Sequence, residues 1–229
     1  MPDTSPFVSS PSPPACTGKL QRRWPVLLLL AWLPLARAET ALPPAPSPAP
    51  VDTRPLADSP EPDEYALWSR VISHGLEPAA KRIVIALRTA GNQAAVLPPG
   101  AALADVAKRL ETPPALLQRW LALNQASAPL EPKLSLAVPY EFLGERERAG
   151  IFDSGDPARG WAQFHTAFPD APGFLRLSRA AFDETGNNAL VYIEFHCGER
   201  CGSGRLIRAQ REGTRWQLLS GELLWMTGP

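Results

Sequence analysis

Among 229 residues, 23 Lys and Arg are balanced by 23 Asp and Glu, so the chain has no net field to recommend nucleic acid or an anionic membrane surface as a partner. The prolines crowd toward the N-terminal quarter and divide the chain into segments of different character.

The first segment reads as a secretory signal peptide over residues 1–38. Lys19, Arg22 and Arg23 precede the apolar run PVLLLLAWLPL, and Ala36-Arg37-Ala38 places small residues at the two cleavage-recognition positions. The run is much shorter than the roughly 20 residues that span a bilayer, so no stable membrane span is expected after cleavage at Ala38. The expected location is periplasmic or secreted. Cys16 follows no apolar run and does not read as a lipid-attachment site.

Residues 39–63 are rich in Pro, Ala, Ser and Asp; eight of the 24 residues from Thr40 to Asp63 are proline. Such a stretch has too little apolar area to fold and favours extended polyproline geometry. It is expected to be a disordered tether to a single domain over 64–229, with order beginning near Pro62.

Within that domain, Pro62 suits a first helical turn, and Tyr65, Trp68, Val71 and Ile72 recur at helical spacing up to Gly75. KRIVIALRT reads as a strand with Ile83, Ile85 and Leu87 on one face. ALADVAKRL predicts a second helix. Thr112 as a cap and Pro113 at the first position introduce a third, LLQRWLALN. The span Leu134–Leu143 is strand-like but interrupted by Pro139, which belongs at an edge or a bulge. Asp156-Pro157 opens a helix with Trp161, Phe164 and Phe168 on its apolar side. Strands then follow at Phe174–Phe182, Ala189–Cys197, Arg205–Arg211 and Arg215–Met226, with turn chemistry in DETGNN and EG. Helices and strands are segregated, so the fold class is α+β: a mostly antiparallel, curved sheet with a C-terminal four-stranded meander, packed against several short helices. The arrangement is similar to cone-shaped folds of the nuclear-transport-factor-2 type, whose helices can leave a pocket against the sheet.

The best-defined chemistry is at one hairpin tip. Centring the turn on Glu199 sets Cys197 opposite Cys201 and pairs Val191 with Ile207 and Ala189 with Ala209. In an exported chain such a cysteine pair forms a structural disulfide, a redox-active pair, or part of a metal site with His196 or Glu199. Zinc would lack a convincing fourth ligand, so neither a metal nor another cofactor is expected. The opposite face of the same strand carries Tyr192, Glu194 and His196, with Arg208 within reach across the hairpin. A carboxylate, an imidazole and a guanidinium on one face can form an acid/base or anion-binding cluster; the alternative is a half-solvated face carrying ordinary charges, and that is the expectation. Ser178 and Ser203 do not lie in a strand-turn-helix elbow, and no phosphate loop, dinucleotide fingerprint or HExxH helix is present. Trp161, Phe164, Phe182, Phe195, Trp216 and Trp225 are expected in the core rather than on a ligand platform.

Two resemblances rest on longer patterns. W-x2-F-x3-FP-x2-PG-x3-LSR-x2-F, then ALVY, CGERCG, a further glycine and W-x8-W, resembles a family of small secreted proteins without an assigned activity. The likeness extends through LSLAVPYEFLGERERAGIF and more loosely back to Tyr65. It implies an extracytoplasmic site and an intact domain, and it transfers no catalytic residue. Ala180-Ala181 stand where that pattern has Val-Gly. Residues 95–139 are similar in outline to a lysin motif, with a Pro-Gly turn, two short helices, Asn124 and a closing Val-Pro. Ala101-Ala102 replace its Asp-Thr or Asp-Ser, and about three extra residues precede Asn124. The resulting expectation is a non-catalytic module that binds a protein or small ligand in the cell envelope. An enzyme built on Glu194, His196 and Arg208, or a wall-glycan binder, stands as the alternative.

Overall fold

A computed structural model describes residues 60–75, 80–91, 97 and 103–228. The expected signal peptide and nearly all of the tether lie outside these residues. The first helix, α1 (Pro62–Gly75), begins and ends as its proline and glycine predict, with Asp63 and Glu64 in its first turn. Strand β1 (Ile83–Ala86) follows, then α2 (Leu103–Arg109) and α3 (Pro114–Leu123). Thr112 does not cap α3: Pro113 occupies the cap position with Pro114 behind it, and no side chain caps the helix. Two consecutive prolines fix the chain's entry and remove an amide that would otherwise need a partner.

The expected strand over Leu134–Leu143 shrinks to β2 (Tyr140–Leu143), since Pro139 cannot donate to a ladder. Helix α4 (Glu145–Phe152) was not foreseen; Ile151 is its one buried residue, so it has almost no apolar stripe to read. Helix α5 (Pro157–Ala167) starts where Asp156 accepts the Arg159 amide at 3.1 Å. The span Phe174–Phe182 divides into β3 (Phe174–Leu177) and β4 (Ala181–Phe182), and the long strands β5 (Asn188–Gly198), β6 (Cys201–Glu212) and β7 (Arg215–Thr227) complete the sheet.

The sheet runs β2-β1-β3-β5-β6-β7, with β4 pairing on β5. It is α+β and mostly antiparallel, but β1 pairs in parallel with both β2 and β3. All four residues of β1 are buried, which suits a strand covered on both faces. Helices therefore pack on both faces, rather than against a single concave side. On one face α1 covers Ile83, Ile85, Leu175, Leu177 and Val191. On the other, α2 and α3 cover Leu190, Tyr192 and Leu206, while α4 and α5 cover Val84 and Phe174.

A buried polar knot ties these layers together at the Leu177-Ser178-Arg179 motif. Arg179 Nε donates to both oxygens of Glu64 at 3.0 Å and its Nη2 to Oε1 at 2.7 Å, while the Ala180 amide donates to Oε2 at 2.8 Å. Asn124, just after α3, accepts the Arg179 amide at 2.7 Å and donates to its carbonyl at 3.0 Å. Trp120 Nε1 donates to Ser178 Oγ and Trp68 Nε1 to the Ser178 carbonyl, both at 3.0 Å. Ser178 Oγ is committed further, donating to the Arg179 carbonyl and accepting the Tyr192 amide. A hydroxyl held by so many partners is a structural joint and not a nucleophile.

Candidate functional site

Strand alternation decides which side chains meet. On β5, Leu190 and Tyr192 lie beneath α2 and α3, and the next residues on that face are Glu194 and His196. On β3 the same face carries Phe174 and Arg176, which the register sets opposite His196 and Glu194. The polar side chains Arg176, Glu194 and His196 therefore sit on the sheet between the two helix pairs, where neither pair covers them.

Arg176 Nη1 donates to Glu194 Oε2 at 3.0 Å, and His196 Nε2 lies 2.9 Å from the same oxygen. The Tyr192 hydroxyl also donates to Glu194 and accepts the Trp225 indole N–H at 2.5 Å. Glu194 is 4% exposed and Tyr192 fully buried, so the carboxylate at the centre is interior, while Arg176 and His196 stay partly exposed, as expected of a half-solvated face. Burial of Glu194 favours its neutral form, but the hydrogen bonds from His196 and Tyr192 and the charge of Arg176 outweigh it, and the carboxyl titrates below its ordinary value. Tyr192 is pushed up, chiefly by burial and then by the neighbouring carboxylate. With Glu194 ionised, a neutral His196 carries its proton on Nε2 and leaves Nδ1 as the acceptor. The imidazole stacks on Phe174 at 4.9 Å and lies 5.5 Å from Trp225.

Arg208 does not join this cluster. It pairs with Leu190 across the hairpin, two residue pairs from Tyr192, and its nearest carboxylate is Glu111 at 3.7 Å. Gly204 is the residue opposite Glu194, and Arg176 supplies the guanidinium from the other neighbouring strand. The overlooked signal is the pair of glycines after Cys201. A Cβ on Gly204 would collide with Tyr192 Oη and Trp225, and one on Gly202 would press on Trp225 and Thr227. Both glycines make room for the Trp225 ring over the face that holds the network.

Cys197 and Cys201 form a disulfide with their Cα atoms 5.0 Å apart. The expected register holds from Ala189–Ala209 to His196–Gly202 and then slips, so Cys201 pairs with Gly198 and Cys197 lies in the irregularity. Beyond the cysteines, Gly198 and Glu199 form part of the wall of an open cleft of about 690 Å³. The loop after β1 contributes Leu87 and Arg88, α4 contributes Arg148 and Phe152, and α5 contributes Trp161. Phe174, Arg176 and His196 lie within it on the sheet. Of the aromatics expected in the core, Phe164 and Trp216 are buried; Phe182, Phe195 and Trp161 pack against core clusters, Trp161 also lining the cleft; and Trp225 is partly buried against His196 and Tyr192 instead.

Arg88 is anchored through Nε to Ser127 Oγ at 3.0 Å and through Nη2 to the Ser127 carbonyl at 2.7 Å, with Glu145 at 3.8 Å. Among the described residues no group of three His, Cys, Asp or Glu side chains is placed to hold a metal ion, and no helix is long and apolar enough to cross a membrane. No family model matches the chain, and no curated protein or solved structure is significantly similar to it.

Proposed function

We propose that this chain is an exported protein that binds a small ligand, without converting it, in the cleft between α4, α5 and the β5–β6 hairpin tip. The observation that carries this reading is an open volume of about 690 Å³ on an otherwise covered sheet face, within the size range of small-molecule sites. It is lined by aromatic rings and by polar groups already fixed in place: Arg176 and His196 by Glu194, Arg88 by Ser127. Side chains held in this way lose little freedom when a ligand arrives. The apolar run followed by Ala36-Arg37-Ala38, together with the disulfide, supports action outside the cytoplasm.

The test is capture of small molecules from a cell-envelope extract by the purified domain, read by mass spectrometry. Leu87 is 37% exposed and lines the cleft, so Leu87→Trp fills the space without disturbing the core. Wild-type protein should retain a compound that Leu87→Trp does not. Equal recovery from both, or none from either, would reject the reading.

A carboxylate-held imidazole on a cleft wall also fits general-base work. That second reading requires a captured compound to be returned chemically changed, and requires His196→Gln to abolish the change while leaving capture intact.

A further inference from the structure

Accepting the cleft as a ligand site, we infer that its ligand is an organic anion: a carboxylate or similar acidic group on a flat apolar body. Three guanidiniums line the cleft, and each has capacity left. Arg176 reaches Glu194 through Nη1 and is 38% exposed. Arg88 uses Nε and Nη2 on Ser127. Arg148, on α4, is half-buried and has no ion pair or side-chain hydrogen bond among the described residues. Arg176 and Arg88 have carboxylate partners in Glu194 and Glu145, so among the described residues Arg148 is the guanidinium of the three whose charge no paired carboxylate balances. Glu194 already receives Arg176, His196 and Tyr192. Glu145 is 69% exposed beside Arg88, and Glu199 is exposed at the hairpin tip.

A guanidinium half removed from water and lacking a counter-ion is poised to donate two parallel hydrogen bonds to an incoming carboxylate. The remaining wall accounts for the rest of the ligand. Phe152, Trp161 and Phe174 form one aromatic group, with Trp161 and Phe174 stacked at 6.0 Å and Phe152 5.1 Å from Trp161. Flat apolar surface beside free guanidinium donors selects a molecule with a ring at one end and a negative charge at the other.

The experiment compares naphthalene-2-carboxylate with its neutral amide, naphthalene-2-carboxamide, by calorimetry and by quenching of tryptophan fluorescence. The carboxylate should bind at least about tenfold more tightly than the amide. Arg148→Gln should weaken the carboxylate by about tenfold, the size of one charge-assisted contact, and leave the amide unchanged. Arg146→Gln, on the same helix but outside the cleft, controls for bulk charge and should change neither. Equal binding of acid and amide, an Arg148→Gln protein that binds the acid normally, or an equal loss in Arg146→Gln would each overturn the anion assignment while leaving the cleft a ligand site. Failure of both probes to bind would also overturn it, and extract capture with Leu87→Trp decides separately whether the cleft binds anything.

Discussion

Glu194 owes its charge to its neighbours, and that dependence has a sign. A carboxyl whose folded titration lies below its free value of 4.5 stabilises the fold above that pH, and the contribution is lost as pH falls through the lower, folded value. Asp183 behaves alike: burial opposes its charge, but Asn188, Thr185 and the Asn187 amide hold it below 3.8. The melting temperature should therefore be flat above about pH 5 and fall in acid. Glu194→Gln should reduce the acid slope and cost about 1–3 kcal/mol at neutral pH, since donors around the carboxylate lose their charged acceptor. An unchanged slope in thermal melts at pH 3.5–7 would show that Glu194 is not ionised in the fold. Gly204 tests the same network sterically. Any Cβ there meets the Tyr192–Trp225 hydrogen bond, so Gly204→Ala should destabilise by about 1–3 kcal/mol and alter the tryptophan emission. A glycine with open space around it, such as Gly186 with φ of 70°, should register only backbone strain.

At the scale of elements, the Leu177-Ser178-Arg179 joint fixes α1 and α3 to the sheet. Glu64→Gln removes the carboxylate that Arg179 is paired with in the interior, and denaturant melts should show a loss of about 3–5 kcal/mol. A loss below about 1 kcal/mol would mean that water enters to replace the pair. The disulfide closes a short loop, so Cys197→Ala/Cys201→Ala should cost only about 2 kcal/mol and keep the fold by circular dichroism. Loss of the whole fold would contradict this.

The elements also show what a sequence can and cannot disclose. α1 was legible because Pro62 and Gly75 bracket a regular apolar stripe, and the β5–β6 register because small and branched residues matched in pairs. α4 was not, because ERERAGIF buries little. Arg176 escaped notice for another reason: its neighbour across the sheet is 18 residues away, and only the β3–β5 register shows that it faces Glu194. Arg208 looked equally near by counting along the hairpin, yet it lies two residue pairs beyond Tyr192.

For the molecule as a whole, the exported form should begin at Glu39, as mass spectrometry of protein recovered from outside the cytoplasm would show; a start upstream of Leu35 would refute the cleavage site. A different consequence follows from the end of the sheet. β7 is an edge strand of 13 residues with Leu219, Leu223 and Met226 exposed, the kind of border on which a foreign strand can grow. Its ladder with β6 slips twice, between Gly204 and Arg205 and between Arg208 and Ala209. Each slip bends the strand and breaks the even spacing of its outward amides and carbonyls, so an arriving strand finds matching partners for only a few residues at a time. Irregularity at this border thus works against polymerisation through an exposed apolar rim. Deleting Leu219, the extra residue of one slip, should straighten the border and give concentration-dependent oligomers in light scattering, where the wild-type chain should stay monomeric.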